Sequence, residues 1–200
     1  MVEIDKERLG KQLRFIAEID QAKSIYRQTL LLNGSRQEND AEHSWHLAVM
    51  AALLYEYTDD PDLDVEKTIK MALLHDIVEI DAGDTFCYDP ERGTDKAERE
   101  AKAAERIYNL LPMDQARQFR GLWQEFEERR TAEARFAAAL DRLQPIIHNY
   151  RTNGHSWRKH NIRKEQVMER IAPIADSSRV LWEYAKHLVE EAVKKGLLQE

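Results

Sequence analysis

The sequence is poor in cysteine and in long apolar runs, and both absences narrow the possible functions. Cys87 is the only cysteine among 200 residues, which excludes an intrachain disulfide and a zinc-finger site. No stretch approaches the roughly 20 apolar residues that span a bilayer, and the first residues lack the pattern of a secretory signal peptide. We therefore expect a cytoplasmic protein with no membrane partner.

The sequence also has no excess of basic over acidic residues. The chain has 30 Lys and Arg residues against 37 Asp and Glu residues, which gives a formal net charge of −7 at pH 7. This balance disfavours a general nucleic-acid surface, and we expect no nucleic-acid partner. Basic residues do cluster between His148 and Lys164, where we expect a solvated loop with Trp157 packed against the protein.

Strand-like alternation is scarce, and helical periodicity dominates the chain. Two hundred residues without a repeat, a low-complexity run or a linker predict one all-α domain over 1–200. Its motif-bearing core covers about 27–150, and a C-terminal helical extension covers about 164–197. The predicted helices cover 7–32, 40–57, 64–80, 94–111, 115–129, 131–149 and 176–195, with a loop over 82–93.

His75 and Asp76 are adjacent polar residues near the end of an apolar run that is predicted to be helical. Burying two such side chains is costly unless something compensates them, and a divalent cation does so. Glu79 follows within one turn, so all three side chains are predicted to share one side of the same helix. The pattern indicates a metal bound by His75 and Asp76, with Glu79 beside it to handle protons.

Neighbouring residues of one helix cannot enclose an ion, so another helix must supply further ligands. His43 is the best upstream candidate, because it shares an apolar stripe with Leu47 in the helix that we expect Asp40 to cap. The alternative is a histidine satisfied by hydrogen bonds at the helix end. His46 competes with it, although its neighbours favour a flanking position.

Asp141 is the best downstream candidate, because it follows small alanines and lies between apolar Leu140 and Leu143. An aspartate in such surroundings is paired either with a cationic side chain or with a metal. Gln144 and His148 follow on the same face and are predicted to line the same pocket. Imidazole and carboxylate ligands together suit Mn²⁺, Fe²⁺, Co²⁺, Ni²⁺ or Zn²⁺ and do not select among them.

These residues match a known pattern. His43, then His75-Asp76, then Asp141 has the H…HD…D order of the HD-domain metal-dependent phosphohydrolases. The string HDIVEIDAGD and the segment 36–44 resemble most closely the branch that contains the bacterial 5′-deoxynucleotidases and their eukaryotic HD-domain relatives. The resemblance covers roughly 27–141. It implies a single HD-domain helical bundle with one divalent ion bound by His43, His75, Asp76 and Asp141.

The resemblance also implies an activity, the hydrolysis of (deoxy)nucleoside 5′-monophosphates to nucleoside and phosphate. Glu79 matches the family glutamate that handles protons, and Asp84 matches an acidic residue that positions substrate or water. Arg27 matches an arginine that contacts the substrate phosphate. Relatives in this branch are commonly dimers, so we expect a homodimer.

One residue departs from the branch. A tryptophan that helps to discriminate the sugar follows the family arginine, whereas Gln28 follows Arg27 here. The base and sugar preferences are therefore open. The alternatives are an HD phosphohydrolase acting on a cyclic nucleotide or a guanosine polyphosphate, and a non-catalytic HD domain that binds a metal or nucleotide. Glu79 and Asp84 beside the ligands favour an enzyme, because a binding module does not need a proton-handling carboxylate.

Overall fold

The computed structural model describes residues 5–89 and 94–200. Pro90 and Gly93, which belong to the predicted loop over 82–93, lie outside the described residues. The elements, in chain order, are α1 (Lys6–Ile19), β1 (Tyr26–Leu30), β2 (Gln37–Asn39), α2 (Asp40–Leu54), α3 (Val65–Leu74), α4 (Glu79–Ala82), α5 (Lys96–Tyr108), α6 (Met113–Glu128), α7 (Ala132–Arg151), α8 (His155–Lys159), α9 (Lys164–Ile171) and α10 (Arg179–Lys194). Short 3₁₀ turns cover Asp20–Ser24, Tyr55–Tyr57 and Ala172–Asp176. The predicted all-α class is confirmed.

The predicted first helix over 7–32 is wrong in its second half. Helix α1 ends at Ile19, and the chain continues through a 3₁₀ turn into strand β1. This strand pairs antiparallel with β2, with Tyr26 opposite Asn39 and Leu30 opposite Gln37. In the hairpin, the backbone N–H and C=O groups of the two strands find the hydrogen-bond partners that a helix would otherwise provide. It places Arg27 on a strand.

Helix α2 is capped one residue earlier than predicted. Asn39, not Asp40, accepts the hydrogen bond of the Glu42 backbone N–H at 2.9 Å, and the Glu42 carboxylate accepts from the Asn39 backbone N–H at 3.2 Å. This reciprocal pair satisfies the helix start. The carboxylate of Asp40 is therefore not used for capping, and Asp40 is only 1% exposed.

The predicted continuous helix through His75, Asp76 and Glu79 is also wrong. Helix α3 ends at Leu74, residues 75–78 form turns, and the short helix α4 begins at Glu79. Gly83 then ends α4 with φ +74°, a conformation that favours glycine. The polar residues thus lie at a break between two helices, where their side chains are not confined to one helical face.

The core lies on both sides of helix α3. One cluster joins α2 and α7 to α9 and α10, and the other joins α1 and α3 to α5 and α6. Trp157 is 1% exposed and packs in the first cluster, as predicted. Within 5–89 and 94–200, no helix has both the length and the apolar character needed to cross a membrane. The division into a core and a C-terminal extension stays a prediction.

Candidate metal centre

His43 lies in the first turn of α2, and its imidazole is fully buried. Its Nδ1 donates a hydrogen bond to Oε1 of Gln144 at 3.1 Å, because an amide oxygen can only accept. Its Nε2 lies 3.2 Å from Oδ1 of Asp141 and 3.7 Å from Oδ2 of Asp76. The capped start of α2 therefore directs one ring nitrogen toward two carboxylates.

His75 reaches the same point from the end of α3. Its Nδ1 donates to the carbonyl oxygen of Ala72 at 2.9 Å. Its Nε2 lies 3.1 Å from Oδ1 of Asp76 and 3.9 Å from Oδ1 of Asp141. The break after Leu74 thus brings His75 and Asp76 together, although they are consecutive residues that a helix would point apart.

The four residues fit a divalent cation. Nε2 of His43 and Nε2 of His75 are buried and have no hydrogen-bond partner among the described residues. Because each Nδ1 donates to a protein acceptor, each neutral ring presents the lone pair of its Nε2 toward the carboxylates of Asp76 and Asp141. Two lone pairs facing two carboxylates repel one another, and a cation between them removes that repulsion. His43, His75, Asp76 and Asp141 together form the donor set that suits a transition-metal ion.

The pKa values of the site residues also reflect an excess of negative charge at this point. Burial opposes a charged imidazole, but the carboxylates of Asp76 and Asp141 outweigh it and raise the pKa of His75 to about 9, so a proton and a metal ion compete for Nε2. Burial also opposes the charged form of Asp141, yet His43 and His75 hold the pKa of that carboxyl well below its ordinary value. The protein has therefore concentrated anionic ligands at a point that attracts a cation.

Arg27 extends from strand β1 over these carboxylates. Its Nη1 donates to Oδ2 of Asp76 at 2.7 Å and lies 3.5 Å from Oδ1 of Asp40, and its Nη2 lies 3.8 Å from Oδ1 of Asp141. Its side chain is 14% exposed. A guanidinium in this position can hold the oxygens of a phosphate that approaches the metal.

Glu79 and Asp40 form a second acidic group with Asp76, with carboxylate oxygens within 4.8 Å of one another. Burial, followed by the charges of Asp76 and Asp84, raises the pKa of Glu79 well above its ordinary value. Burial and the Asp76 charge also raise the pKa of Asp40 to about 7. Sequence reasoning missed Asp40 because it treated this residue as the cap of α2, and the better cap at Asn39 was the signal that could have corrected it.

Asp84 follows the left-handed Gly83 and lines a cavity of about 430 Å³ beside the centre. Arg27, Asp76, Glu79 and Asp141 line the same cavity. The structure therefore brings every predicted site residue to one place: His43 and His75 are buried behind the cavity, and the other residues line it. The cavity also contains residues that sequence reasoning did not assign to the site, including Lys96, Arg129, Arg142, Arg170 and the aromatic side chains of Phe86 and Tyr88.

Gln144 and His148 are not among the residues that line the cavity, which corrects their predicted placement. Both are buried behind the metal centre. Gln144 Nε2 donates to Oε1 of Glu38 at 2.7 Å, and His148 Nδ1 donates to the carbonyl oxygen of Leu30 at 2.9 Å. Gln144 therefore supports His43 from behind, a role that no local sequence pattern indicated.

Gln28, which replaces the tryptophan of the resembling branch, lines the cavity from strand β1. Its Oε1 accepts hydrogen bonds from Lys159 Nζ and His160 Nε2, both at 3.0 Å. The His160 ring in turn contacts Phe86, with ring centroids 4.4 Å apart. The predicted solvated loop between His148 and Lys164 is therefore wrong, because this segment contains the end of α7 and helix α8, and Lys159 and His160 contact the cavity wall.

Comparison with known proteins assigns the family. A model of the HD domain matches residues 19–182. The chain belongs to the HD domain family. A crystal structure of a predicted metal-dependent phosphohydrolase from Magnetospirillum magnetotacticum MS-1 has 51% identity over the full length of both chains, with a TM-score of 0.94.

Curated relatives carry a more specific name. The human 5′-deoxynucleotidase HDDC2 is 32% identical over 136 residues, which are 68% of this chain. The 5′-deoxynucleotidase hdd1 of Schizosaccharomyces pombe is 25% identical over 93% of this chain and 86% of its own length. The chain spans 65% of the length of the human relative that it matches.

Proposed function

We propose that this HD domain is a metal-dependent phosphohydrolase that hydrolyses (deoxy)nucleoside 5′-monophosphates to nucleoside and phosphate. One observation carries the proposal: two imidazole nitrogens that lack a hydrogen-bond partner among the described residues converge on two carboxylates at the wall of a cavity that Arg27, Glu79 and Asp84 also line. The names of the curated relatives support the same reaction and the same class of substrate.

The ligand set of the proposal is His43, His75, Asp76 and Asp141, with one ion of Mn²⁺, Fe²⁺, Co²⁺, Ni²⁺ or Zn²⁺. When bound, such an ion polarises a phosphate oxygen and lowers the pKa of a bound water. The protein contributes the orientation of the donors, because the Nδ1 hydrogen bonds of His43 and His75 fix both imidazole rings.

Three side chains of the cavity complete the reaction in this proposal. Arg27 holds two oxygens of the phosphate, and its fork neutralises the charge that resists attack by water. Glu79 has a raised pKa, so its carboxyl retains a proton more readily than a free glutamate and can donate it to the leaving 5′-oxygen. Asp84 accepts a hydrogen bond from the attacking water or from a sugar hydroxyl and thereby orients it.

The direct experiment measures phosphate release by the purified protein from a panel of ribo- and deoxyribonucleoside 5′-monophosphates, with each of the five ions. We expect release that depends on the added ion and stops with a chelator. The 3′-monophosphates of the same nucleosides and a cyclic nucleotide are the matched controls, and we expect little or no release from them. Stoichiometric metal without turnover of any nucleotide would instead support a non-catalytic metal-binding domain.

The homodimer and the cytoplasmic location are also parts of the proposal. Trp45, Val49 and Leu53 form an exposed apolar stripe on α2, with exposed fractions of 64%, 37% and 65%. Contiguous exposed apolar surface can mark a contact between chains, so this stripe supports the homodimer. Light scattering after size exclusion tests the contact: Leu53→Glu is expected to give a monomer, whereas Met113→Glu, at another exposed residue, is expected to leave the dimer intact. A monomeric unsubstituted protein would reject the homodimer.

A further inference from the structure

Five basic side chains line the cavity beside the metal centre, and they fall into two groups. Arg27 and Lys96 are paired with carboxylates: Arg27 Nη1 lies 2.7 Å from Asp76, and Lys96 Nζ lies 3.2 Å from Glu100. The second group consists of Arg129, Arg142 and Arg170, which we call the arginine group. The only carboxylate that forms an ion pair with this group, among the described residues, is Asp141, at 3.7 Å from Arg170 Nη2.

Arg142 is the unusual member of the arginine group, because it is 4% exposed. Its Nη1 donates to the backbone carbonyl of Ala138 at 2.7 Å, but its buried Nε has no hydrogen-bond partner among the described residues. A buried guanidinium without a carboxylate partner is costly, and native proteins rarely leave its donors unused. The arrangement indicates a donor held ready for an acceptor that is not part of the chain.

The other two arginines line the same cavity as Arg142. Asp141 precedes Arg142 in the sequence and is the one carboxylate among the described residues that forms an ion pair with the group. Asp141 belongs to the proposed ligand set, so its negative charge is shared with a bound cation. Three like charges at one wall of a cavity repel one another, and an anion between them would relieve that repulsion.

Resting on the proposed function, we propose that Arg129, Arg142 and Arg170 form an anion-binding subsite that takes a second phosphate group of the substrate. Arg27 already serves the reacting phosphate, because its guanidinium lies over the carboxylates of the metal centre. The substrate class is then a nucleoside 5′-phosphate with a second phosphate on the sugar. Guanidinium forks match phosphate oxygens in geometry and charge.

Equilibrium binding tests the subsite without relying on turnover. Dissociation constants are measured in the Glu79→Gln background for deoxyadenosine 5′-monophosphate, deoxyadenosine 3′,5′-bisphosphate and adenosine 2′,5′-bisphosphate. We expect at least one bisphosphate to bind about 10-fold or more tightly than the monophosphate, which corresponds to one or more charge-assisted hydrogen bonds. Arg129→Gln is expected to remove most of this advantage and to change monophosphate binding less than about twofold.

Arg130→Gln is the matched control. Arg130 is the next residue and is also exposed, but it lies 3.5 Å from Glu128 and is not among the residues that line the cavity. We expect it to keep the full bisphosphate advantage. Arg129 caps the end of α6, Arg130 follows it, and both are exposed, so neither change removes a buried side chain.

Two results would overturn the subsite. Equal binding of all three nucleotides, or an advantage that survives Arg129→Gln, means that the arginine group does not bind a second phosphate. A parallel loss of monophosphate and bisphosphate binding in Arg129→Gln means that these arginines hold the reacting phosphate instead. Phosphate release by the unsubstituted protein is measured separately, so tight bisphosphate binding without release would reject the proposed function and leave the anion subsite standing.

Discussion

Nδ1 of His43 donates to Oε1 of Gln144 at 3.1 Å, and this single bond determines which ring nitrogen of His43 faces the carboxylates. Gln144 is itself held, because its Nε2 donates to Oε1 of Glu38 at 2.7 Å. Glu38 also accepts from the Thr29 hydroxyl at 3.3 Å. A buried polar chain thus runs from strand β1 to the metal centre and keeps the His43 lone pair available for an ion.

Gln144→Met removes this support while it preserves the length of the side chain. We expect the affinity for the divalent ion to fall about 10- to 100-fold, since the loss of such supporting hydrogen bonds has effects of that size. The affinity is measured by competition with a chromophoric chelator. Gln124→Met, at an exposed glutamine of α6 whose Nε2 donates to Glu128, is the control. Unchanged affinity in Gln144→Met would show that His43 is oriented by other contacts.

Asp141→Asn tests the ligand from α7. The amide preserves the shape of the side chain but removes the charge that faces both Nε2 atoms. We expect the purified variant to retain less than about a tenth of the metal of the unsubstituted protein, because a charged donor of a four-ligand site is lost. Metal content is measured by elemental analysis, with Asp114→Asn, at an exposed aspartate of α6, as the matched control. Full metal content in Asp141→Asn would reject Asp141 as a ligand.

Glu79→Gln separates proton transfer from metal binding. Glu79 lies with Asp40 and Asp76 but is not among the residues that converge on His43 and His75. We therefore expect normal metal content and a fall in kcat of about 100-fold or more, the size of a lost general acid. The two quantities are measured on the same preparation. If the metal disappears together with the activity, Glu79 is a ligand and its proposed role is wrong.

The sequence alone predicted that His43, His75, Asp76 and Asp141 form one site, because the order and spacing of these residues match a family pattern. The sequence did not predict the break in the helix after Leu74, because the apolar run around His75 has the composition of a continuous helix. The strand that carries Arg27 forms because it pairs with residues 37–39. Helical periodicity within a short stretch of sequence does not reveal such a pairing.

The sequence did not predict the roles of residues whose partners lie far away along the chain. Gln144 and Glu38 are 106 positions apart in the sequence, so their contact becomes visible only when α7 packs beside the β1–β2 hairpin. The arginine group has the same origin, because Arg129 and Arg170 come from the end of α6 and from α9. Charges that meet in this way follow no local pattern in the sequence.

Two glycines predict opposite changes in stability when each is replaced by alanine. Gly154 precedes α8 with φ +67°, and a Cβ there would lie 2.0 Å from the carbonyl oxygen of Leu197. Gly121 lies inside α6, where a Cβ would have no heavy atom within 4 Å. Gly154→Ala must therefore displace the C-terminal segment and adopt a left-handed conformation that an L-residue disfavours by about 1–2 kcal/mol.

We expect Gly154→Ala to lower the free energy of unfolding by at least about 2 kcal/mol, because the steric clash adds to the backbone cost. Gly121→Ala should raise it by about 0.5–1 kcal/mol, because alanine loses less conformational entropy than glycine in a helix. Urea unfolding of the metal-free proteins, followed by circular dichroism, measures both values under conditions in which ligand binding contributes nothing. A Gly154→Ala protein as stable as the unsubstituted one would mean that the chain around Leu197 does not pack against α8.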